Sequence, residues 1–400
     1  MSRLGLPSLL APTSVEKFFT KYWQQEPLVI SRNDPTFYAG LPTSSDFEFM
    51  LSSLTDPQGG WFSLVKEQAR PPDDSMLTEE KVLNLSEVYG AFSRGYSLLL
   101  NQVQKRHRFT GLMCRKLEMS LSECGVTLSR HIGANGYLSP AASQGFSIHY
   151  DPHDVFILQL EGRKHWRLYG RHVKFPVEPP PAPIPKQEAG VPRREFLVAP
   201  GDLIYIPRGF LHDAETGKDS SLHITLSVEC ATWRDLIAEV LLSDPRFRQS
   251  LPRHFTAKSG ISRSRRREFA SVVSGIATSS QVSSALSRVT GRLLSNLEAL
   301  PNGGFAGIED LMSLRANSRV GLADGVFGRV EARRDAAVLH LPGLSLSAGL
   351  GMAPTFRYLL KCSTFRPQDL PIDSRPAEKL KFVRELMLAG YVIRKLKPSG

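Results

Sequence analysis

In the stretch HYDPHDVFILQLEGRKHWRLY, residues 149–169, two metal-ligating residue types stand two apart, His149 and Asp151. Side chains two apart on an extended chain share a face, so this imidazole and carboxylate project together while Tyr150 points away. Further on, GDLIYIPRGFLHDAE brings a strand and a tight Pro207-Arg208-Gly209 turn up to His212 at the same end. Two histidines and one carboxylate on one side of a metal, with the other side open, form the facial ligand set of non-haem Fe(II) oxygenases. Zinc accepts the same donors, so the ligands alone do not decide the metal.

Lys164 adds the deciding chemistry. If Gly162 turns a hairpin, the returning strand puts Lys164, Trp166 and Leu168 on the inward face and His165, Arg167 and Tyr169 on the other. A buried ammonium needs a partner, and the only acid at hand is Asp151, already claimed by the metal. A dicarboxylate co-substrate satisfies it. 2-Oxoglutarate can chelate iron through its 1-carboxylate and 2-keto oxygen while its 5-carboxylate meets Lys164. A lone His-x-Asp is a weak signal, but followed by an inward lysine and a PRGxxH turn it is specific. Three other histidines are assigned elsewhere: His153 to the barrel rim, His223 to the wall as a satisfied residue, and His165 to the outer face.

The elements that must position these residues are legible in the periodicity. SVEKFFTKYWQQEPLVI predicts a helix over residues 14–24 capped by Ser14, then a strand at 28–30. Helical spacing of Val88, Phe92, Leu98, Leu99, Val103 and Leu112 predicts helix between about 86 and 123. From 125 to 229 the period becomes two, in short β-rich runs divided by Gly, Pro and Asp turns, the pattern of an antiparallel barrel or sandwich. PVEPPPAPIPKQEAGVPRRE interrupts it as an extended surface loop. Helical patterns return after Cys230, joined by the basic stretch Arg263 to Arg267, and Pro301-Asn302-Gly303-Gly304 reads as a linker. The last segment reads helix, turn, helix, strand, with Gly390 as a C-cap.

HYDPHDVFILQLEGRKHWRLY, GDLIYIPRGFLH and LHITLS together resemble the JmjC-type ribosomal oxygenases, Fe(II)- and 2-oxoglutarate-dependent protein hydroxylases. FFTKYWQQEPLVI resembles the family's opening segment, and the C-terminal half its helical dimerisation region and winged helix. The resemblance implies an α+β fold: a double-stranded β-helix (cupin/JmjC) barrel with a helical cover over 1–230, a helical dimerisation region over 231–304, and a winged-helix-like domain over 305–400. It implies that His149, Asp151 and His212 bind iron, that Lys164 and Asn135 hold 2-oxoglutarate, and that Tyr137 and Ser227 line the peptide side. Lys164 stands where the bacterial arginyl-hydroxylase branch usually has arginine, which leans the chain to the histidyl branch. It departs from the family in carrying GAN for GSN and in a shorter loop after His212 than the eukaryotic members have.

Composition bounds the rest. No run of 18 apolar residues occurs, and the apolar run near the start is too short for a signal peptide, so a cytoplasmic protein without membrane association is expected. The four cysteines form no CxxC pair and are expected to be core thiols. The net charge of +11 is uneven: 24 Lys+Arg face 25 Asp+Glu through residue 230, against 26 and 14 thereafter. A basic second half suggests a polyanion or ribosome contact, with ordinary solubility charge as the plainer alternative. The leading expectation is hydroxylation, with O2, of a histidine or arginine in a ribosomal protein, by a homodimer. Methyl-lysine demethylation, tailoring of a peptide or metabolite, and a non-enzymatic cupin-like binding module are the alternatives.

Overall fold

The structure, a computed structural model, describes residues 5–53, 60–66, 78, 83–243, 245–250, 262–274, 279–297 and 307–395. The chain divides into two units, residues 1–126 with 130–229, and residues 127–129 with 230–400.

The first unit is built on two antiparallel sheets. Among the described residues ten strands supply them: β1 (Leu28–Ile30), β2 (Phe62–Val65), β3 (Ser97–Leu100), β4 (Gly133–Ser139), β5 (Asp154–Glu161), β6 (Lys164–Arg171), β7 (Arg194–Val198), β8 (Leu203–Ile206), β9 (Phe210–Thr216) and β10 (Ser221–Val228). The large sheet runs β1-β8-β5-β10-β4-β3-β2 and the small one β7-β6-β9. The sequence expectation of a β-hairpin within 149–169, turning at Gly162, is corrected here. Gly162 does turn, at φ +61°, and a Cβ there would lie 1.9 Å from the Ser220 carbonyl oxygen. But both edges of β5 are taken, by β8 and β10, so the chain leaves at Gly162 for the other sheet, where β6 pairs with β7 and β9.

The apolar alternation fills the space between the sheets. Val155, Ile157, Ile204 and Ile206 from the large sheet meet Trp166, Leu168 and Val198 from the small one, all buried. Burying such side chains contributes about 1.5–3 kcal/mol each. Outside the large sheet, the helical stretch made of Val15–Lys17 and Phe18–Tyr22, with Trp23 just beyond it, packs Phe18 and Trp23 on Tyr205, whose hydroxyl accepts from the Gln24 N–H at 2.9 Å. Ser14 caps that helix by accepting from Lys17 N–H, and β1 follows at 28–30 as expected. Phe47, in the helix Ser44–Ser52, lies over β4, where a Cβ on Gly136 would come within 2.1 Å of it.

Between 86 and 123 the expectation of continuous helix is corrected. Helices Leu85–Ser93 and Arg108–Glu123 flank the strand β3, which lies between β2 and β4. Gly95, at φ +96°, lets the chain leave the first helix, and the Leu98 to Leu100 run has no helical face to bury but suits a central strand. The FSIHY segment is not a strand but bends at Phe146 and Ile148 and pairs through the isolated bridge of His149 to His212, and the proline-rich insertion includes one short helix, Lys186–Ala189. Ile184 and Ala189 of that insertion pack on Ile148, Tyr150, Tyr169 and Leu211.

The second unit holds the helices Trp233–Ser243, Arg263–Ser274 and Ser279–Ser295. Arg263 to Arg267 begin the second of these helices, rather than joining two. The expected linker at 301–304 lies outside the described residues. Beyond it come β11 (Val320–Leu322), β12 (Arg329–Ala332), β13 (Ala336–Leu341), β14 (Leu344–Gly349), helices Ala353–Lys361 and Pro376–Leu388, and β15 (Val392–Arg394). They close around Val320, Leu339, Phe356, Leu359, Val383 and Leu386. Gly390, at φ +80°, ends the last helix where the sequence placed its cap. Among the described residues no helix is long and apolar enough to cross a membrane.

Candidate metal centre and co-substrate cavity

His149 and Asp151 lie on the extended segment ahead of β5, and His212 lies within β9. The two histidines are tied through their backbones: His149 N–H donates to the His212 carbonyl at 3.1 Å, and His212 N–H to the His149 carbonyl at 2.8 Å. Gly209 ties the third residue, its N–H donating to the Asp151 carbonyl at 3.0 Å. The three ligand atoms lie within 4.8 Å of one another, and His212 Nε2 is 3.6 Å from Asp151 Oδ2. That is the scale on which one ion with bonds of about 2.0–2.2 Å shares such donors.

The hydrogen bonds of the two rings also fit a metal. His149 Nδ1 donates to the Ser147 carbonyl at 2.8 Å and His212 Nδ1 to the Phe210 carbonyl at 3.0 Å. Each bond commits Nδ1 as the donor and leaves the Nε2 lone pair for an ion. Burial pushes the His212 imidazole down to about 4, with the neighbouring His149 adding to this and Asp151 opposing it. It is therefore neutral at pH 7. Burial works against the Asp151 charge, but His212, His149 and His153 outweigh it and hold the carboxyl below its usual range. A neutral imidazole beside an ionised carboxylate is what a divalent ion requires.

A cavity of about 250 Å³ opens from this cluster into the space between the sheets. Every residue assigned to the site from sequence lines it: His149, Asp151, His212, Lys164, Asn135, Tyr137 and Ser227. Parity along β6 holds as expected. Lys164, Trp166 and Leu168 face inward and are buried, whereas His165 faces Glu195 and Glu215 on the outer side and Arg167 pairs with Asp213 at 2.9 Å. Lys164, 5% exposed, donates from Nζ to Ser139 Oγ at 3.0 Å, and Ser139 in turn accepts from Ser97 Oγ at 2.9 Å. No carboxylate pairs with this ammonium among the described residues, and burial brings Lys164 down to about 7. Tyr137 is held protonated, its acidity suppressed by burial and then by the Asp151 charge; Asn135 bonds its hydroxyl and accepts from Gln102 N–H at 3.2 Å.

Several lining residues were missed or misplaced. Ser139, the partner of Lys164, continues the β4 face of Asn135 and Tyr137 at steps of two, so the alternation carried the signal. Thr225 and His223 do the same from Ser227 on β10. His223 was expected to be a satisfied wall residue. It instead lines the cavity, with its Nδ1 buried and without a hydrogen-bond partner. His153, half-buried, also lines the cavity, yet is not one of the three clustered ligands.

Gly209 is the backbone hinge of the site. It stands at φ +82°, and a Cβ there would lie 1.9 Å from the Val173 carbonyl oxygen. Gly209→Ala is expected to lower stability by about 2–4 kcal/mol in chemical denaturation. Gly217→Ala, with nothing within 4 Å, is expected to stay within about 0.5 kcal/mol of the original chain.

Residues 114–236 match the family model of the JmjC domain. Ribosomal oxygenase 1 of Gallus gallus is 34% identical over 268 residues, covering 64% of this chain and 43% of that protein. The bifunctional lysine-specific demethylase and histidyl-hydroxylase NO66 of Dictyostelium discoideum is 33% identical over 275 residues, 64% of this chain and 50% of that protein. The chain thus spans about half the length of the curated relatives it matches. A solved structure of YcfD, a ribosomal oxygenase from Escherichia coli in complex with cobalt and 2-oxoglutarate, shares the fold. Its TM-score is 0.52 at 16% identity, over 96% of this chain and 99% of that one.

Proposed function

We propose, from the premise that this chain carries a JmjC domain homologous to that of the ribosomal oxygenases, that it is an Fe(II)- and 2-oxoglutarate-dependent dioxygenase. Its substrate on this reading is a histidine or arginine side chain of a ribosomal protein. The observation that carries it is the joint presence, in one cavity, of the His149, Asp151 and His212 cluster and a buried lysine without a carboxylate.

Iron, when bound with 2-oxoglutarate and O2, supplies the oxidation that places one oxygen atom on a substrate carbon and releases succinate and CO2. The chain's own part is to hold and orient. His149, Asp151 and His212 would hold the ion. Lys164, steadied by Ser139, would fix the distal carboxylate of the co-substrate, and Asn135 would contact the co-substrate. Trp166, edge to face with His223 at 5.6 Å, and Phe146, 5.8 Å from His149, exclude water. Tyr137 and Ser227 face the peptide.

The name of the Dictyostelium relative joins histidyl hydroxylation to lysine demethylation, so loss of methyl groups is the second reading. A purely binding role leaves Lys164 and the ligand cluster without a purpose. Incubation with ribosomal proteins, Fe(II), 2-oxoglutarate and O2, followed by mass spectrometry, tests the proposal. Gain of a single oxygen atom on histidine or arginine supports it, loss of methyl groups supports the second reading, and neither change removes both.

The helices after Trp233 support a homodimer. Trp233, Ile237 and Leu242 on the first, and Leu286 on the third, are exposed apolar residues, Trp233 at 78%. The reading of 231–304 as a dimerisation region and 305–400 as winged-helix-like rests on this and on the helix-turn-helix-strand order, and the arginine-rich start of helix Arg263–Ser274 favours ribosome contact. A dimeric mass is expected at micromolar concentration by light scattering, and a monomeric one removes the dimer.

A further inference from the structure

The register of β4 and β10 sets His223 directly opposite Tyr137, and the two rings stack at 4.7 Å with an interplanar angle of 5°. Trp166, from the small sheet, meets the His223 ring edge-on at 5.6 Å. His223 is 3% exposed and Tyr137 half-buried. One step along the same strands, Ser221 stands opposite Ser139, the residue that accepts the Lys164 bond. His223 therefore occupies the layer between the lysine end of the cavity and its metal end. Its Nδ1 is buried without a partner, so no bond through that nitrogen anchors the ring in the wall, and the other ring nitrogen, Nε2, is left for the cavity that the residue lines.

We propose that His223 is a co-substrate-binding residue: with Lys164 and Ser139 it completes the receptor for the distal carboxylate of 2-oxoglutarate, donating a hydrogen bond from Nε2. This rests on the oxygenase reading above and adds a second nitrogen to it. Burial, and then the neighbouring Lys164 charge, keep the ring neutral, so it carries a single N–H. Nδ1 is sealed from the cavity, and a buried lone pair without a partner costs less than a buried N–H without one. The proton therefore belongs on Nε2. A neutral donor also suits the place, since it binds a carboxylate without setting a second full positive charge beside the ammonium.

The test is calorimetric binding to the full chain loaded with Mn(II) in place of Fe(II), so that no turnover is read. Two ligands are compared: 2-oxoglutarate, and 2-oxopentanoate, which keeps the metal-binding end and lacks the distal carboxylate. His223→Phe keeps the stack and is expected to weaken 2-oxoglutarate about 10- to 100-fold, leaving 2-oxopentanoate and Mn(II) affinities unchanged. His223→Gln, whose amide N–H falls near the position of Nε2, is expected to stay within about threefold of the original chain, and His223→Asn, whose amide falls near Nδ1, to behave like His223→Phe. Unchanged 2-oxoglutarate binding in His223→Phe overturns the proposal. So does an equal loss of both ligands, which a merely structural residue would give, or rescue by asparagine and not by glutamine. Failure of the Mn(II)-loaded original chain to bind 2-oxoglutarate is a separate outcome, and it removes the oxygenase reading together with this one.

Discussion

His212→Ala is expected to abolish 2-oxoglutarate turnover at every co-substrate concentration, measured as succinate release with ribosomal protein present. The ring supplies one of three donors clustered within 4.8 Å, and its Nδ1 is already committed to the Phe210 carbonyl. Alanine removes the Nε2 lone pair and leaves no side chain of the described residues to replace it in that cluster. Even the outer hydrogen-bond partners of metal ligands are worth 10- to 100-fold in affinity, so loss of a ligand itself is expected to cost at least about 100-fold in Fe(II) or Mn(II) binding. The backbone bonds between residues 212 and 149 do not depend on the ring. The variant should therefore fold, and circular dichroism should match that of the original chain. Turnover that recovers at high 2-oxoglutarate would show that His212 is not a ligand.

Much of this site was legible because it is written in the period of two. Once 149–169 is extended, alternation alone puts His149 with Asp151 and Lys164 with Trp166, and the buried-ammonium argument needs no coordinates. What alternation does not contain is pairing. The hairpin expectation failed at Gly162 because a turn residue shows that the chain reverses, not which strand it will lie against; β5 had partners on both edges from strands far along the chain. The strand β3 was hidden for a related reason: Leu98, Leu99 and Leu100 form a short continuous apolar run, which periodicity cannot distinguish from a buried helix segment. His223 was misassigned by chemistry rather than by period. Its parity with Ser227 already placed it inward, but whether a buried imidazole finds a partner depends on neighbours from three strands, which only the register reveals.

Lys164→Ala is expected to separate the co-substrate from the metal. The substitution removes a charge-assisted bond in a desolvated site, a loss of roughly 2–5 kcal/mol in 2-oxoglutarate binding. That corresponds to a rise of about 30-fold to several thousand-fold in the concentration required, while Mn(II) binding persists. Acidity gives the same assignment a second readout. Burial brings the Lys164 ammonium of the ligand-free protein down to about 7, and pairing with a carboxylate favours the charged form. Binding must therefore take up a proton. Below pH 7 the ammonium is already present and affinity is flat; above it, each pH unit is expected to weaken binding by up to about tenfold until the pKa of the complex is reached. Lys164→Arg, whose guanidinium stays charged, should flatten this decline, and Lys164→Ala should remove it. Calorimetry in buffers of differing ionisation enthalpy reads the proton directly. If the original chain binds 2-oxoglutarate without proton uptake between pH 7 and 9, and Lys164→Ala binds it as tightly, then the lysine is a wall residue and the distal carboxylate is held by other groups.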